Sequence, residues 1–149
     1  MKVRDIMSHP VIRIGPDTPV TDAAALLVEH GISALPVVDD TQRLIGILSE
    51  ADLVAGRIPA HGDQQPPPTT SRAGQLMTDS PITREPDSDV ADVVHTMLDH
   101  RLRAIPIVDH GTLVGIISRR DVLRCVAQGE LTSADVWRHR FGLVDQDRG

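Results

Sequence analysis

Two short stretches of the chain place a serine three residues before an aspartate. Residues 46–52 read Gly-Ile-Leu-Ser-Glu-Ala-Asp, and residues 115–121 read Gly-Ile-Ile-Ser-Arg-Arg-Asp. Ser-x-x-Asp after an apolar run is typical of a helix that begins with a capping box, where the acid also suits the helix dipole. The free N–H groups of such a helix start suit a phosphate, and a carboxylate is a good acceptor for two ribose hydroxyls. The pattern therefore predicts two capped helices and, compatibly, a site for a nucleoside phosphate.

These stretches lie at matching points of an internal repeat. Met7 aligns with Met77, seventy residues further along the chain, and after the loss of one residue in a turn Gly46 aligns with Gly115. Apolar positions between the matches stay apolar in both copies, so the register is not a chance event. We therefore predict a first repeat in residues 1–62, a proline-rich linker in 63–72, a second repeat in 73–128 and a tail in 129–149.

Each copy shows the same order of predicted elements. In the first copy, Val11-Ile12 indicates a brief strand, and residues 20–30 have the spacing of an amphipathic helix that Thr18 caps and Gly31 ends. Two apolar runs, 35–38 and 44–48, then predict a hairpin, and Ser49 opens a second helix. The second copy has Arg101 where the first has Gly31, which predicts a different end for its first helix.

The predicted fold class is α+β, with α/β-like units of β-α-β-β-α order. One repeat alone is too small to bury both its sheet face and its helices. We therefore expect the two repeats to pack sheet to sheet about a pseudo-twofold axis, so that each completes the core of the other.

The composition excludes several classes of protein. The chain has 149 residues and a net charge of −6, and this acidic balance argues against nucleic acid. No apolar run approaches the roughly 18 residues of a membrane span. The single cysteine, Cys125, excludes an internal disulfide and a cysteine-based zinc site, and it fits a reducing cytoplasm as a buried small side chain. His95 and His100 lie five residues apart and do not share a helix face well, so we predict no metal site.

The repeated segments resemble the cystathionine-β-synthase (CBS) motif. The resemblance lies in residues 31–40 with 44–53 and in 102–109 with 113–122, and both copies also match the leading segment of the family through Asp5-Ile6-Met7 and Gln75-Leu76-Met77. It implies a CBS pair, or Bateman module, that senses AMP, ADP, ATP or a related adenosyl compound such as S-adenosylmethionine. It implies no catalysis and no required cofactor. The alternative is a ligand-free CBS dimer that serves as a structural or interaction scaffold.

The resemblance also implies which residues meet the ligand. In the family, Ser/Thr-x-x-Asp of one repeat holds phosphate and ribose, while the first short strand and the x-Ala-x-Pro segment of the other repeat contact the base. One predicted group is Ser49 and Asp52 with Ile82, Thr83, Arg103, Ala104 and Pro106. The other is Ser118 and Asp121 with Val11, Ile12, Ser33, Ala34 and Pro36.

Some of these positions fit a second interpretation. Pro36 and Pro106 are also compatible with edge-strand prolines that have no ligand role. Arg119 and Arg120 are either solvated surface charges or phosphate contacts. A mismatch between the repeats further predicts unequal sites, because Arg103 stands where the first copy has serine and a guanidinium pairs with phosphate through two hydrogen bonds. The group that contains Asp52 is expected to bind more tightly.

Two features predict protein contacts. The first helix of each repeat carries more apolar residues than one core needs. Together with the family resemblance, this excess predicts a homodimer. The apolar residues are Ala23, Ala24, Leu27 and Val28 in the first repeat, and Val93, Val94, Met97 and Leu98 in the second. The chain contains two aromatic residues of the Phe, Tyr or Trp type, Trp137 and Phe141. Both lie in the tail, in a short predicted helix that Ser133 caps. Such a tail is expected to dock onto the module or onto a protein partner.

Overall fold

The computed structural model describes residues 1–57 and 71–129, without the side chains of residues 56 and 57. These residues form two compact units, each built from separate stretches of chain. The first-repeat unit comprises the described residues of the stretch Ile12–Ile82, together with His110–Leu113, and the second-repeat unit comprises Met1–Val11, Thr83–Asp109 and the described residues 114–129. Linker residues 63–70 and the tail helix predicted around Trp137 and Phe141, with its cap Ser133, lie outside the described residues.

The first-repeat unit is a small antiparallel sheet covered by helices. Its elements are α1 (Val20–His30), β1 (Ala34–Val38), β2 (Leu44–Ser49), α2 (Glu50–Arg57), α3 (Ala73–Leu76) and β3 (Thr78–Asp79). The strands lie in the order β1-β2-β3, with Ala34 opposite Ser49, and Ile14 adds a parallel bridge to Val37. The buried core consists of aliphatic side chains from these elements: Ile14, Val20, Ala23, Leu27, Leu35, Val37, Leu48, Leu53 and Ala73.

The second-repeat unit repeats this plan. It contains a 3-10 turn (Val3–Asp5), α4 (Val90–His100), β4 (Ala104–Asp109), most of β5 (Thr112–Ser118) and α5 (Arg119–Ala127). Strands β4 and β5 are paired, Ser8 bridges Ile116 and Arg84 bridges Ile107. The core is again aliphatic apart from a cysteine: Val3, Val90, Val93, Val94, Met97, Ile105, Ile107, Ile117 and Cys125. The predicted α+β class and the buried position of Cys125 are therefore confirmed.

Helix ends show where local sequence signals succeed and fail. The helix over residues 20–30 ends at Gly31, which has a φ of 60°, as predicted. The different end predicted for α4 was wrong, because Arg101 adopts the same left-handed conformation with a φ of 55°. The cap predicted for α1 was also wrong: Pro19 occupies the N-cap position, and the Thr18 hydroxyl accepts the Gly15 N–H at 3.2 Å.

The predicted hairpins are confirmed, whereas the brief leading strands lie elsewhere. Residues 11–12 and 82–83 form no strand; the extended chain bridges β1 and β4 two residues later, through Ile14 and Arg84. The first hairpin turn is organised by Asp39, whose carboxylate accepts the Thr41 hydroxyl at 2.8 Å and the N–H groups of Thr41 and Arg43. These bonds, the Thr41 hydroxyl first, lower the pKa of Asp39.

The leading segments of the two repeats lie in exchanged units. Met7 packs beside Gly115 of the second repeat, and Met77 packs beside Gly46 of the first. A Cβ atom on either glycine would collide with the methionine side chain. Methionine and glycine therefore recur together in both copies because each methionine needs the space that a glycine leaves.

The end of the predicted linker already belongs to the first-repeat unit. Ser71 is 7% exposed, and its carbonyl oxygen accepts the Val20 N–H at 3.0 Å. The Ala73 N–H donates to the Thr18 carbonyl oxygen at 2.8 Å, so the start of α1 and the chain after the linker hold each other. The boundaries of the structural units thus differ from the predicted repeat boundaries at 62 and 73, which stay predictions of sequence homology.

One polar pair replaces an apolar pair between the copies. Ile14 is buried, and its counterpart Arg84 is half-buried. Leu26 is matched by Thr96, whose hydroxyl accepts the Arg84 guanidinium at 2.8 Å. Arg84 also donates to the carbonyl oxygen of Thr83 at 2.6 Å. The guanidinium is thus hydrogen-bonded where the first copy has hydrocarbon.

Candidate functional site

The first Ser-x-x-Asp lies where β2 ends and α2 begins. The Ser49 N–H donates to Asp52 Oδ2 at 2.9 Å, and the Asp52 N–H donates to Ser49 Oγ at 3.1 Å. The predicted capping box is therefore confirmed, and both side chains are half-buried. The box fixes the direction of the Asp52 carboxylate before any ligand arrives.

The second Ser-x-x-Asp lies in the same position between β5 and α5. The Ser118 N–H donates to Asp121 Oδ2 at 2.8 Å, and the Asp121 N–H donates to Ser118 Oγ at 3.2 Å. Asp121 is only 4% exposed, and its Oδ1 accepts Arg124 Nη1 at 3.2 Å and, more weakly, Ser8 Oγ at 3.4 Å. Two identical motifs thus have different surroundings.

Each x-Ala-x-Pro segment lies beside the Ser-x-x-Asp of its own repeat. The Ser33 carbonyl oxygen accepts the Glu50 N–H at 2.9 Å, and the Arg103 carbonyl oxygen accepts the Arg119 N–H at 2.9 Å. Ala34 lies directly opposite Ser49 in the β1–β2 pair. The two predicted ligand groups instead combine residues of different units, and that crossed grouping stays a prediction.

The two site prolines are part of the core. Pro36 and Pro106 are both fully buried, and their carbonyl oxygens accept the N–H groups of Ile14 at 3.1 Å and Arg84 at 3.2 Å. Each strand therefore has a bonded neighbour on both sides at this point, and neither proline lies at an open edge. Through these carbonyl oxygens, both positions hold the extended leading chain against the sheet.

The other predicted contacts range from buried to exposed. Val11 and Ala34 are buried, Ile12, Ile82, Thr83 and Ala104 are half-buried, and Arg103 is exposed. Arg119 and Arg120 are also exposed, but they differ because Arg119 Nε donates to the Leu102 carbonyl oxygen at 3.0 Å. Arg124, which sequence reasoning missed, reaches Asp121 from the next turn of α5. The readable signal was an arginine three residues after the motif in one copy and alanine, Ala55, in the other.

The histidines take part in a different arrangement. His95 Nε2 lies 2.9 Å from Asp99 Oδ2, one turn further along α4, and His100 is exposed. Within residues 1–57 and 71–129, no three His, Cys, Asp or Glu side chains are grouped so that they could hold a metal ion. In the same part of the chain, no helix has the length and apolar run needed to cross a bilayer.

Comparison with known proteins explains the repeated plan. Residues 3–57 and 73–128 each match the family model of the CBS domain. The chain belongs to the CBS domain family. A relative of this CBS pair, Hypoxic response protein 1 of Mycobacterium tuberculosis, is 34% identical over 121 residues, which cover 81% of this chain and 82% of that protein.

Solved structures of other CBS pairs have the same fold as this CBS pair. CBSX2 of Arabidopsis thaliana, solved in complex with AMP, has a TM-score of 0.74 at 31% identity, covering 87% of this chain and 98% of that chain. The CBS domain pair of MJ0100, solved with 5′-methylthioadenosine and S-adenosyl-L-methionine, has a TM-score of 0.74 at 28% identity, with the same coverage of both chains. The predicted CBS resemblance is therefore confirmed.

Proposed function

We propose that this CBS pair is a regulatory sensor that binds an adenosyl ligand, such as AMP, ADP, ATP or S-adenosylmethionine, and does not catalyse a reaction. The observation that carries the proposal is the similarity to CBSX2, whose structure was solved in complex with AMP. This chain is 31% identical to CBSX2, and the two structures have a TM-score of 0.74. The MJ0100 pair, solved with two other adenosyl compounds, supports the same ligand class.

The helix start at Ser49 supplies suitable chemistry for such a ligand. Two first-turn N–H groups of α2 are already bonded, that of Glu50 to the Ser33 carbonyl oxygen and that of Asp52 to Ser49 Oγ. The Ala51 N–H remains at the positive end of the helix dipole, which suits a phosphate. The Asp52 carboxylate is held in place through one oxygen by the Ser49 N–H, so the other oxygen can accept a ribose hydroxyl. A carboxylate that is already oriented loses little conformational entropy when it binds, which raises affinity.

We also propose that the chain has no catalytic activity of its own. The sequence contains no phosphate-loop or dinucleotide fingerprint, and the two matched CBS segments account for most of the chain. A cytoplasmic setting belongs to the same proposal, since the single cysteine, Cys125, is buried as a thiol.

Calorimetric titration with AMP, ATP and S-adenosylmethionine tests the ligand class, with GMP as the matched purine control. We expect at least one adenosyl ligand to bind and to raise the melting temperature, because a ligand that binds only the folded state stabilises it. Asp52→Asn should weaken that binding, since it keeps the size of the side chain but removes the charge. If no adenosyl ligand binds or shifts the melting temperature, the scaffold alternative is preferred.

We further propose that two copies of the chain form a homodimer through their helices. Large aliphatic side chains remain exposed on four of them: Val28 on α1 is 82% exposed, Val54 on α2 is 58% exposed, Leu98 on α4 is 54% exposed and Leu123 on α5 is 65% exposed. Burial of such side chains against a second copy is favourable by roughly 25 cal/mol per Å² of apolar surface.

Light scattering of the purified chain and of Val28→Glu and Leu98→Glu variants tests this dimer. We expect a dimer mass for the parent chain and a monomer mass for at least one variant, because a buried unpaired carboxylate is costly. Glu29→Lys serves as the control for a change of charge at a neighbouring exposed position. A monomer mass for the parent chain at all concentrations contradicts the dimer.

A further inference from the structure

The two copies of Ser-x-x-Asp share their backbone geometry. In both, the serine N–H donates to Oδ2 of the aspartate, at 2.9 Å for Asp52 and 2.8 Å for Asp121. In both, the aspartate N–H returns a bond to the serine Oγ, at 3.1 and 3.2 Å. The two motifs differ most clearly at the remaining carboxylate oxygen, Oδ1.

That oxygen is occupied in the second copy and open in the first. Asp121 Oδ1 accepts Arg124 Nη1 at 3.2 Å and Ser8 Oγ at 3.4 Å, and only 5% of the Asp121 side chain is exposed. Asp52 is half-buried, and among the side chains described in residues 1–55 and 71–129 no donor reaches its Oδ1. A ribose hydroxyl therefore finds a free acceptor at Asp52, whereas at Asp121 it must displace a charge-assisted bond.

The different surroundings of the two aspartates correspond to sequence differences between the two repeats. Arg124 aligns with Ala55, which carries no donor in its side chain. Ser8 aligns with Thr78, and the two residues hold the same backbone position, opposite Ile116 and Ile47 respectively. The Thr78 side chain nevertheless makes no bond to the carboxylate of its unit among the described residues.

We propose that the chain has one open ribose-binding carboxylate, Asp52, and that Arg124, assisted by Ser8, keeps the second one, Asp121, closed. This inference rests on the proposed adenosyl-binding function and specifies which helix start performs it. Arg124 is thus a specificity-determining residue: it makes the Asp121 carboxylate a structural group that ties the leading segment to α5. The resulting preference for Asp52 is independent of the phosphate contact predicted for Arg103.

Exchanging the two aligned residues gives a direct test. Arg124→Ala gives the second copy the chemistry of the first, and we expect calorimetry with AMP to change from one bound ligand per chain to two. Ala55→Arg gives the first copy the same arginine three residues after Asp52, and we expect it to weaken AMP binding about tenfold or more. Arg101→Ala, which removes an exposed arginine of the same unit that belongs to neither predicted ligand group, should leave both values unchanged.

The outcomes separate this inference from the proposed function. If the parent chain binds AMP and neither exchange alters stoichiometry or affinity, the closed second carboxylate is overturned while the sensor function stands. If Arg124→Ala abolishes AMP binding, Arg124 is a ligand contact and the inference is again wrong. If no variant binds AMP, ATP or S-adenosylmethionine, the sensor function fails and the inference fails with it. Thermal unfolding without ligand identifies any variant that is merely unfolded, and Ser8→Ala then provides a second way to open Asp121.

Discussion

Arg84 shows how a single residue can keep its place in the fold while its chemistry changes. Its counterpart in the first copy, Ile14, is buried among aliphatic side chains, yet both residues bridge the neighbouring strand in the same way. The guanidinium is accommodated because Thr96 and the Thr83 carbonyl oxygen accept its hydrogen bonds. A half-buried charge of this kind is tolerable only while its partners remain.

A double-mutant cycle tests this dependence. Thr96→Leu alone leaves Arg84 without its side-chain acceptor, and we expect a loss of about 1–3 kcal/mol in the free energy of unfolding. Arg84→Ile with Thr96→Leu copies the apolar pair of the first repeat, Ile14 and Leu26, and should recover most of that loss. Urea unfolding of the two single variants and the double variant measures the coupling. Strictly additive changes would show that the pair does not act as a unit.

The hydrogen bonds at the two Ser-x-x-Asp helix starts could be predicted from sequence because their signal is local. The bonds of Ser49 with Asp52 and of Ser118 with Asp121 follow from a four-residue pattern. The bond from Ser8 to Asp121 joins residues 113 positions apart, and no local pattern indicates it. In the sequence, only the mismatch between Arg124 and Ala55 at aligned positions indicates that the two aspartates have different partners.

At the scale of elements, the ends of α1 and α4 have the same backbone but different residues. Gly31 and Arg101 both adopt a left-handed conformation, with φ values of 60° and 55°. A side chain in this conformation costs about 1 kcal/mol relative to glycine. Sequence reasoning expected a different end for α4 because residue type alone does not show that tertiary packing can impose an unfavourable φ.

Substitutions at these two positions should therefore have opposite effects on stability. Arg101→Gly is expected to raise the free energy of unfolding by about 1 kcal/mol, and Gly31→Arg is expected to lower it by a similar amount. Arg101→Ala is the control, since it removes the guanidinium but retains a Cβ. If Arg101→Ala stabilises as much as Arg101→Gly, the side chain rather than the backbone is the source of the cost.

The methionine–glycine contacts make a second prediction at this scale. For Gly115→Ala the three atoms nearest to the new Cβ all belong to the Met7 side chain, whereas Gly46→Ala also brings a Cβ within 3.0 Å of the Thr78 carbonyl oxygen. We therefore expect Met7→Ala to rescue most of the stability lost in Gly115→Ala, and Met77→Ala to rescue less of that lost in Gly46→Ala. Thermal unfolding of the four single and two double variants decides this, and equal rescue in both repeats contradicts it.

At the scale of the whole molecule, each unit depends on a stretch of chain from the other side of the linker. The first-repeat unit includes residues 71–82, and the second-repeat unit includes Met1–Val11. The apolar periodicity of the sequence predicted the helices and hairpins within each copy. The periodicity could not predict that each leading segment belongs to the unit of the other repeat, because the contacts of Met7 and Met77 are long-range and do not affect the local apolar pattern.

Cutting the chain in the linker tests the exchange. Residues 1–62 and 63–149, each expressed alone, should lack cooperative unfolding, because each fragment is separated from a segment of its own unit. Mixing the two fragments should restore a cooperative transition. As a control, a folded chain cleaved at a protease site placed within residues 63–70 should retain its circular dichroism spectrum. A fragment that unfolds cooperatively as a monomer refutes the exchange.

The exchange also bears on how the chain matures on the ribosome. Met1–Val11 is synthesised more than seventy residues before its partners in α4, β5 and α5. The first-repeat unit likewise waits for residues 71–82 and for His110–Leu113 before its sheet and turn contacts are complete. Domains usually fold one after another during synthesis, from the N-terminus onward. Here the first-repeat unit is complete only after Leu113 has been synthesised, when much of the second-repeat unit is also present, so the nascent chain exposes two partial cores at once.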